Sequence, residues 1–496
     1  MYRSIKLNLT TRRNGVHGNL VLPWTEQSSF KPPALPGGWG TRLRTGPLEV
    51  ERRAREGSYI SSKSFDLQLS RTIAELEREY GVSYDPGELA PDDPSLAKAV
   101  FEAGLALVEE VGIYVVELER TAVFSREEVV EVLRRAEKEL VLGKGSDARV
   151  LSAREPGSRQ RPFVFGGYAG TPTPEEEFKY SALSYAQEAL VDALDHGSLP
   201  SVGGLEVSRS APSEAEATVR EVELLREAIA EAGRPGMHLL ACESSASAVG
   251  SLAAMAAGVL RRGDAQLVPV LNEMKVDYSQ LIKAQAGLRY GVHNAALVDP
   301  VVGGFARGAA GTAICAVAEA IASLLAYRAS YVLIHPYHIR LKATSTKECL
   351  WVECVVGQAG RYLGAPLVGD VWPANGGGVV EMLYEVAANA LVATTSGLNL
   401  LGPAPANGEK PHGTGLEARF MAEVGHAAAG MRPRDVIDIV WELVKRYEHA
   451  LENPNPGRPF SELYNVEKRR PAEWWAERYV EVKQQLADWG LELPPP

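Results

Sequence analysis

The sequence predicts an α/β protein: a (β/α)8 TIM barrel with extra strands and helices before it and a helical segment after it. Two observations carry that reading. Between residues 156 and 402, short apolar runs alternate with longer helical stretches, and about eight such units close a parallel sheet. The expected strands are 163–165, 199–203, 238–242, 268–271, 296–299, 331–335, 366–371 and 397–401. The second observation is where polar residues gather. Glu243, Asn272, Glu273, Asp299, His335, His338, Asp370 and Asn375 all follow or close one of these runs. That is the face where barrel enzymes keep their chemistry.

Taken in order, residues 1–45 read as a β extension and linker. "YRSIKLNL" alternates as a strand, "TTRRNG" turns, "NLVLPW" gives a second strand and "KPPALPGGWG" is a linker. Residues 46–155 read as helical. "DPSLAKAVFEAGLALVEEVGIYVV" has apolar residues at helical spacing, and "SREEVVEVLRRAEKEL" opens on an N-cap serine. Residues 156–402 are the barrel core, and 403–496 add a Gly/Pro loop and helices packed on it. Within the core, "AGRPGMHLLACESS" (232–245) turns, runs apolar except for one histidine, and ends in Glu243, Ser244 and Ser245. A buried parallel strand delivering polar groups to an open end has this pattern.

Composition narrows the function. The 496 residues are 45% hydrophobic and 23% charged, as in a soluble globular protein. The net charge of −11 argues against nucleic-acid binding. The first 60 residues hold ten Lys/Arg against four Asp/Glu, which reads as a solvated basic face. Four cysteines with no CxxC and no zinc spacing fit reduced thiols in a cytoplasm. The opening "MYRSIKLNLTTRRNG" has no apolar signal region, and no run suits a membrane span. "GTAICAVAEAIASLLAYRAS" comes nearest, but its small residues and Glu319 suit a packed helix.

No Walker loop, GxSxG elbow, HExxH or GxGxxG occurs at a strand–helix junction. "GGYAGTP" (166–172) can cradle an anion or serve only as a glycine-rich barrel loop. His335 and His338, three apart in "HPYHIR", point to opposite faces of a strand, so a polar network suits them better than a shared metal. Glu243, Glu273, Asp299 and Asp370 are candidates to converge at one barrel mouth, for acid–base work or a hard cation. Lys275, Arg340 and Lys342 are their candidate ion-pair partners.

From about residue 60 onward the chain resembles the monomethylamine:corrinoid methyltransferases of methylamine-using archaea. The likeness is carried by "FEAGLALVEEVGIY", "VLGKGSDA", "AGRPGM", "LNEMKVD", "GGFARG", "HIRLKATSTKE", the "EM" of Glu381–Met382, and "GTGLEARFMAEVGHAAAG". The resemblance implies a TIM barrel, a homo-oligomer, a role related to methanogenesis, and docking of a separate corrinoid protein. It implies no tightly bound cofactor or metal on this chain: the corrinoid (cobalamin) comes with the partner. The strand after "AGRPGM" carries pyrrolysine in that family, and Leu240 matches it here. Two acidic pocket positions match Leu267 and Leu297, and a Gln/Tyr pair matches the region of Asp370 and Trp372. The glutamate after the strand is kept as Glu243.

Leucine offers no electrophile and no hydrogen bond. The resemblance therefore points to a pyrrolysine-lacking methyltransferase with a donor other than monomethylamine, a quaternary amine being one that needs no proton to leave. Glu243, Glu273, His338 and Arg340 are the candidate catalytic residues. Leu240, Leu267, Asn272, Leu297, Phe305, Tyr337, Asp370 and Trp372 are the candidate substrate-binding residues, with Trp372, Tyr337 and Phe305 able to face a cation. Arg340 is a candidate clamp for a substrate carboxylate. The alternatives are a divalent-metal lyase or hydrolase using Glu243, Glu273 and Asp299, and a non-catalytic relative that binds corrinoid proteins.

Overall fold

Why each strand closes onto the next is visible in a computed structural model that describes residues 45–493. The expected extension before residue 45 lies outside the described residues. Eight parallel strands form a closed barrel: β1 (Val164–Gly166), β2 (Ala193–Asp195), β3 (His238–Ala241), β4 (Ala265–Val270), β5 (His293–Val298), β6 (Tyr331–Ile334), β7 (Leu367–Asp370) and β8 (Asn399–Gly402). β8 pairs back onto β1, with Leu401 opposite Phe165. A helix follows every strand: α1 (Glu175–Ala186), α2 (Pro212–Glu231), α3 (Ala248–Ala256), α4 (Tyr278–Tyr290), α5 (Ala309–Ala326), α6 (Lys347–Leu363), α7 (Val380–Ser396) and α8 (Gly415–Ala427).

One expected strand is displaced. Residues 199–203 do not enter the barrel; Ser201–Val202 instead pairs antiparallel with Leu205–Glu206 in a small hairpin. The barrel strand is the preceding Ala193–Asp195, three fully or nearly fully buried residues. So short a run has too few side chains to show a period. Its identity comes from pairing with β1 and β3.

The barrel interior is filled, as the fold requires. Phe165, Leu240, Ala295, Tyr331, Leu333 and Val368 belong to one buried cluster. Phe165 stacks on Tyr331 with ring centroids 5.5 Å apart. His238, the one polar residue in its apolar run, places Nδ1 3.0 Å from the Gly263 carbonyl. Burial pushes its imidazole down to about 3, so it is neutral.

The segment before the barrel is less helical than its periodicity suggests. Helices Pro47–Glu56, Ser62–Tyr80, Pro94–Val111 and Arg126–Arg135 are interleaved with short strands. The hairpin Glu139–Leu142 and Arg149–Ser152 was not expected; Leu140, Leu142 and Leu151 from it join the barrel cluster. The Lys144 N–H donates to the Gly236 carbonyl just before β3, so this hairpin plugs the amino-terminal end. Helix Pro94–Val111 covers α5, and Gly104 permits the approach: a Cβ there would lie 2.6 Å from Val317 Cγ1. That cover explains why α5 is buried on every side. Among the described residues it is the one helix long and apolar enough to cross a membrane, and it is wholly buried inside the protein. On the other side, Pro433–Tyr447 and Glu473–Asp488 pack on α7.

Arg154 joins plug to barrel. Nearly fully buried, its guanidinium donates to the carbonyls of Gln160, Thr394 and Leu398. Burial lowers it to about 10, which leaves it charged at neutral pH. Arg154→Leu strands these carbonyls and is expected to cost about 2–4 kcal/mol. An unfolding free energy from urea titration lowered by less than about 1 kcal/mol would show that water replaces the guanidinium freely.

Candidate active site

The polar mouth of the barrel starts from one backbone feature. β3 ends at Ala241, and Cys242 adopts a left-handed φ of 70°. Successive N–H groups then converge, a geometry that binds anions. The Glu221 carboxylate of α2 accepts all three: Cys242 N–H at 2.8 Å, Glu243 N–H at 3.0 Å and Ser244 N–H at 2.7 Å. Glu214, two turns earlier on the same helix face, accepts the Ser247 N–H at 2.7 Å and its hydroxyl at 2.8 Å. Two buried carboxylates thus fix the loop that carries Glu243.

Glu243 meets Asp195, which closes β2, through a side-chain hydrogen bond between the two carboxyls. Such a bond requires one of them to hold a proton. Both line a cavity of ≈ 440 Å³ at the carboxyl-terminal end of the barrel. Leu267, Leu297 and Leu333 form its apolar wall, and Asp299, Asp370, His335, Tyr337 and Trp372 line the rest, with Ala169, Ile339, Lys342 and Asn407. His335 Nδ1 lies 2.7 Å from Asp370 Oδ2. Trp372 stands edge-on to His335, ring centroids 4.6 Å apart. Its six-membered ring lies against Gly408, where a Cβ would collide with it. Asp195, Glu243, Asp299 and Asp370 each keep one buried oxygen without a hydrogen-bond partner.

Of the expected substrate-binding residues, Leu267, Leu297, Tyr337, Asp370 and Trp372 line this cavity, and so does Glu243 of the catalytic set. Leu240 does not: it is fully buried in the apolar layer on which Leu267 and Leu297 pack. Glu273 is also elsewhere, accepting the Val301 N–H at 3.3 Å. Glu243, Glu273 and Asp299 therefore do not converge as a metal trio. Asn272 donates its amide to the Asp299 carbonyl. Phe305 is half exposed with Lys275 Nζ 6.0 Å from its ring centroid. His338 and Arg340 line a separate crevice of ≈ 330 Å³ with Lys347, Glu348 and Glu448. The His338 Nδ1 accepts the Arg340 N–H at 3.2 Å. The two histidines do go to different places, but because the strand ends at Ile334 and the chain turns at Pro336 between them, not because they alternate along one strand. Arg340 is not in the cavity to clamp a carboxylate; the lysine that is, Lys342, pairs with Glu409 at 2.9 Å. The glycine-rich 166–172 loop cradles no anion: the Gly170 N–H donates to the His196 carbonyl, and a Cβ on Gly170 would sit 3.0 Å from Glu243 Oε2.

Comparison with known proteins decides the family. Residues 48–491 match the family model of monomethylamine methyltransferase MtmB. The chain belongs to the monomethylamine methyltransferase MtmB family. By that membership it is a methyltransferase. It is 32% identical over 449 residues to monomethylamine methyltransferase MtmB2 of Methanosarcina acetivorans, covering 88% of this chain and 96% of that one. It is equally similar to MtmB of Methanosarcina mazei. Its structure matches the crystal structure of the Methanosarcina barkeri monomethylamine methyltransferase with a TM-score of 0.87 and 31% identity, over 91% of this chain and 99% of that one. The hydroxylamine complex of MtmB matches as well, also with a TM-score of 0.87.

The acid content of the mouth departs from what the sequence suggested. Leu267 and Leu297 suggested a cavity short of charge partners for a cation. Instead four carboxylates line it. Asp195 was missed because its strand was placed at 199–203; the signal present was the acidic end of "VDALDH". Burial and the nearby Glu221 charge push Glu243 up to about 8. Burial with the Glu243 and Asp370 charges holds Asp195 well above the usual carboxylate range. Burial takes Asp299 to about 7, and Glu221 to about 7 despite its three amide donors. Behind them, buried Lys283 donates to the Ser245 carbonyl at 3.3 Å, its ammonium pushed down by burial.

These shifts set a pH dependence. In the unfolded chain Glu243 loses its proton near 4.5, in the folded one near 8. Between those values the folded state binds more protons, so stability falls as pH rises. The contribution is full below about 4.5 and lost as pH rises through about 8. Relative to Glu243→Gln, the unaltered protein is expected to lose stability steadily from pH 5 to 8.5 at fixed ionic strength. A difference between the two that stays flat over that window would place the Glu243 proton outside it.

Proposed function

We propose that this protein moves a methyl group from a methylated ammonium donor larger than monomethylamine to the cobalt of a partner corrinoid protein, without pyrrolysine. The corrinoid supplies a nucleophilic Co(I) that takes the methyl group. The observation that carries the reading is the cavity itself: carboxylates and leucines together, at the carboxyl end of the barrel, above a β3 strand whose matched residue is Leu240. Leu240 in this reading is a packed floor residue, and the donor is held without a covalent adduct.

The residues divide the work. Asp195, Glu243, Asp299 and Asp370 balance the positive nitrogen. Leu267, Leu297 and Leu333 exclude water, which strengthens that attraction. Trp372 offers a ring to the cation, one side of it already covered by Gly408. Positioning and desolvation are what such a displacement needs from the protein. Ile339, 51% exposed on the cavity wall, and Phe305, 45% exposed on the β5–α5 loop, give this face apolar contacts for a partner. The homo-oligomeric state implied by the family, and the cytoplasmic location that the reduced cysteines suggest, belong to the same proposal.

A screen of methylated amines, quaternary ammonium compounds and betaines against a reduced corrinoid partner tests it, read by the spectral change on methylation. Monomethylamine is expected to give no change at saturation, and at least one bulkier methylated ammonium a complete one. Robust turnover of monomethylamine would overturn the reading of Leu240.

A further inference from the structure

The cavity is too large and too acidic for one small cation. A liquid water occupies about 30 Å³, so ≈ 440 Å³ holds roughly fifteen atoms of that size, against two heavy atoms in methylamine. Asp195 is 2% exposed and Asp370 3%; both line this cavity, and each keeps one buried carboxylate oxygen without a hydrogen-bond partner. An unpartnered buried oxygen calls for a donor. A quaternary nitrogen has no N–H to give. The cavity-lining cation of the chain, Lys342, is paired with Glu409.

The acids fall into two groups. Asp195 and Glu243 lie together on β2 and the β3 loop. Asp370, with His335, lies on β7 and the end of β6, beside Trp372. Leu267, Leu297 and Leu333 occupy the strands between β3 and β7. We propose that the methyl donor is an N-methylated diamine, whose free amine end is held by Asp195 and Glu243 while its methylene chain lies on the leucines and its methylated nitrogen sits by Trp372 and Asp370. The free ammonium takes the place of the proton that Asp195 and Glu243 share, donating N–H groups to both. Glu221, Lys283, Cys242, Asp370 and Tyr331 are other charged or titratable groups around that pair, and Glu221 is already saturated by backbone amides. On transfer the C–N bond breaks, its electron pair stays on nitrogen, the methyl group passes to the partner's Co(I), and the diamine is left.

The inference rests on the proposed function only for the methyl group; the ligand class is tested on this chain alone. Calorimetry compares N-methyl-1,4-diaminobutane with N-methylbutylamine, which lacks only the terminal amine and carries one charge, and with tetramethylammonium. The diamine is expected to bind at least about ten-fold more tightly than N-methylbutylamine, as expected for one added charge-assisted hydrogen-bonding group. Asp195→Asn is expected to weaken the diamine about ten-fold more than it weakens N-methylbutylamine, erasing the preference. Equal affinity for diamine and monoamine overturns the inference, and so does an Asp195→Asn variant that weakens both alike. If that variant fails to fold, the charge series on the unaltered protein decides. Diamine binding without methyl transfer to a corrinoid partner supports the ligand class and overturns the proposed function. Transfer from a monocation, with no preference for the diamine, overturns the ligand class and leaves the function standing.

Discussion

The mouth of this barrel depends on one buried carboxylate. Glu221 reaches from α2 and accepts three consecutive backbone N–H groups at 2.7–3.0 Å. A left-handed conformation at a residue other than glycine costs on the order of 1–3 kcal/mol. Three hydrogen bonds to the Glu221 carboxyl oxygens offset that cost at Cys242. Without them the chain leaving β3 has no reason to turn where it does, and Glu243 has no reason to meet Asp195.

That constraint explains how a family member can change its pocket without losing its mouth. The loop geometry belongs to α2 and β3, not to the residue at position 240. Leu240 packs in the barrel layer with Ala265 and Ala295, and the polar end of the strand is held separately by Glu221 and Glu214. Side chains facing the cavity are then free to vary. Leu267 and Leu297 dry it, while Asp195, Asp299 and Asp370 arrive from other strand ends. A carboxylate in a dry pocket holds its proton more tightly, so the site is poised between a neutral empty state and a charged state that a cation stabilises.

Most of the fold was legible in the sequence because its signal is repetitive. Seven of the eight expected strands overlap barrel strands, each marked by an apolar run and most of them by a polar residue at its end. β2 was not legible: three residues have no period, and the more conspicuous 199–203 run made only a hairpin. The plug at 139–152 looked like the tail of a helix because its strands are four residues each. In the site, residues at strand ends were found where the strand was found, as with Glu243 and Asp370. Glu273, Asn272 and Phe305 follow correct strands but lie on loops, whose direction local sequence does not set. His338 and Arg340 went astray for the same reason, two and four residues past His335's proline turn. Glu221 and Glu214 carried no signal beyond ordinary charged positions on an amphipathic helix; only the backbone they bind shows their role.

Amide hydrogen exchange of the segment around Cys242–Ser244 tests the Glu221 constraint directly. With Glu221 intact, these amides are expected to exchange as slowly as those of β3 itself, far more slowly than the exposed turn at Gly203–Gly204. In Glu221→Ala they are expected to exchange fast while β3 and β4 stay protected. Fast exchange in the unaltered protein, or unchanged protection in the variant, would contradict the dependence of the mouth on Glu221.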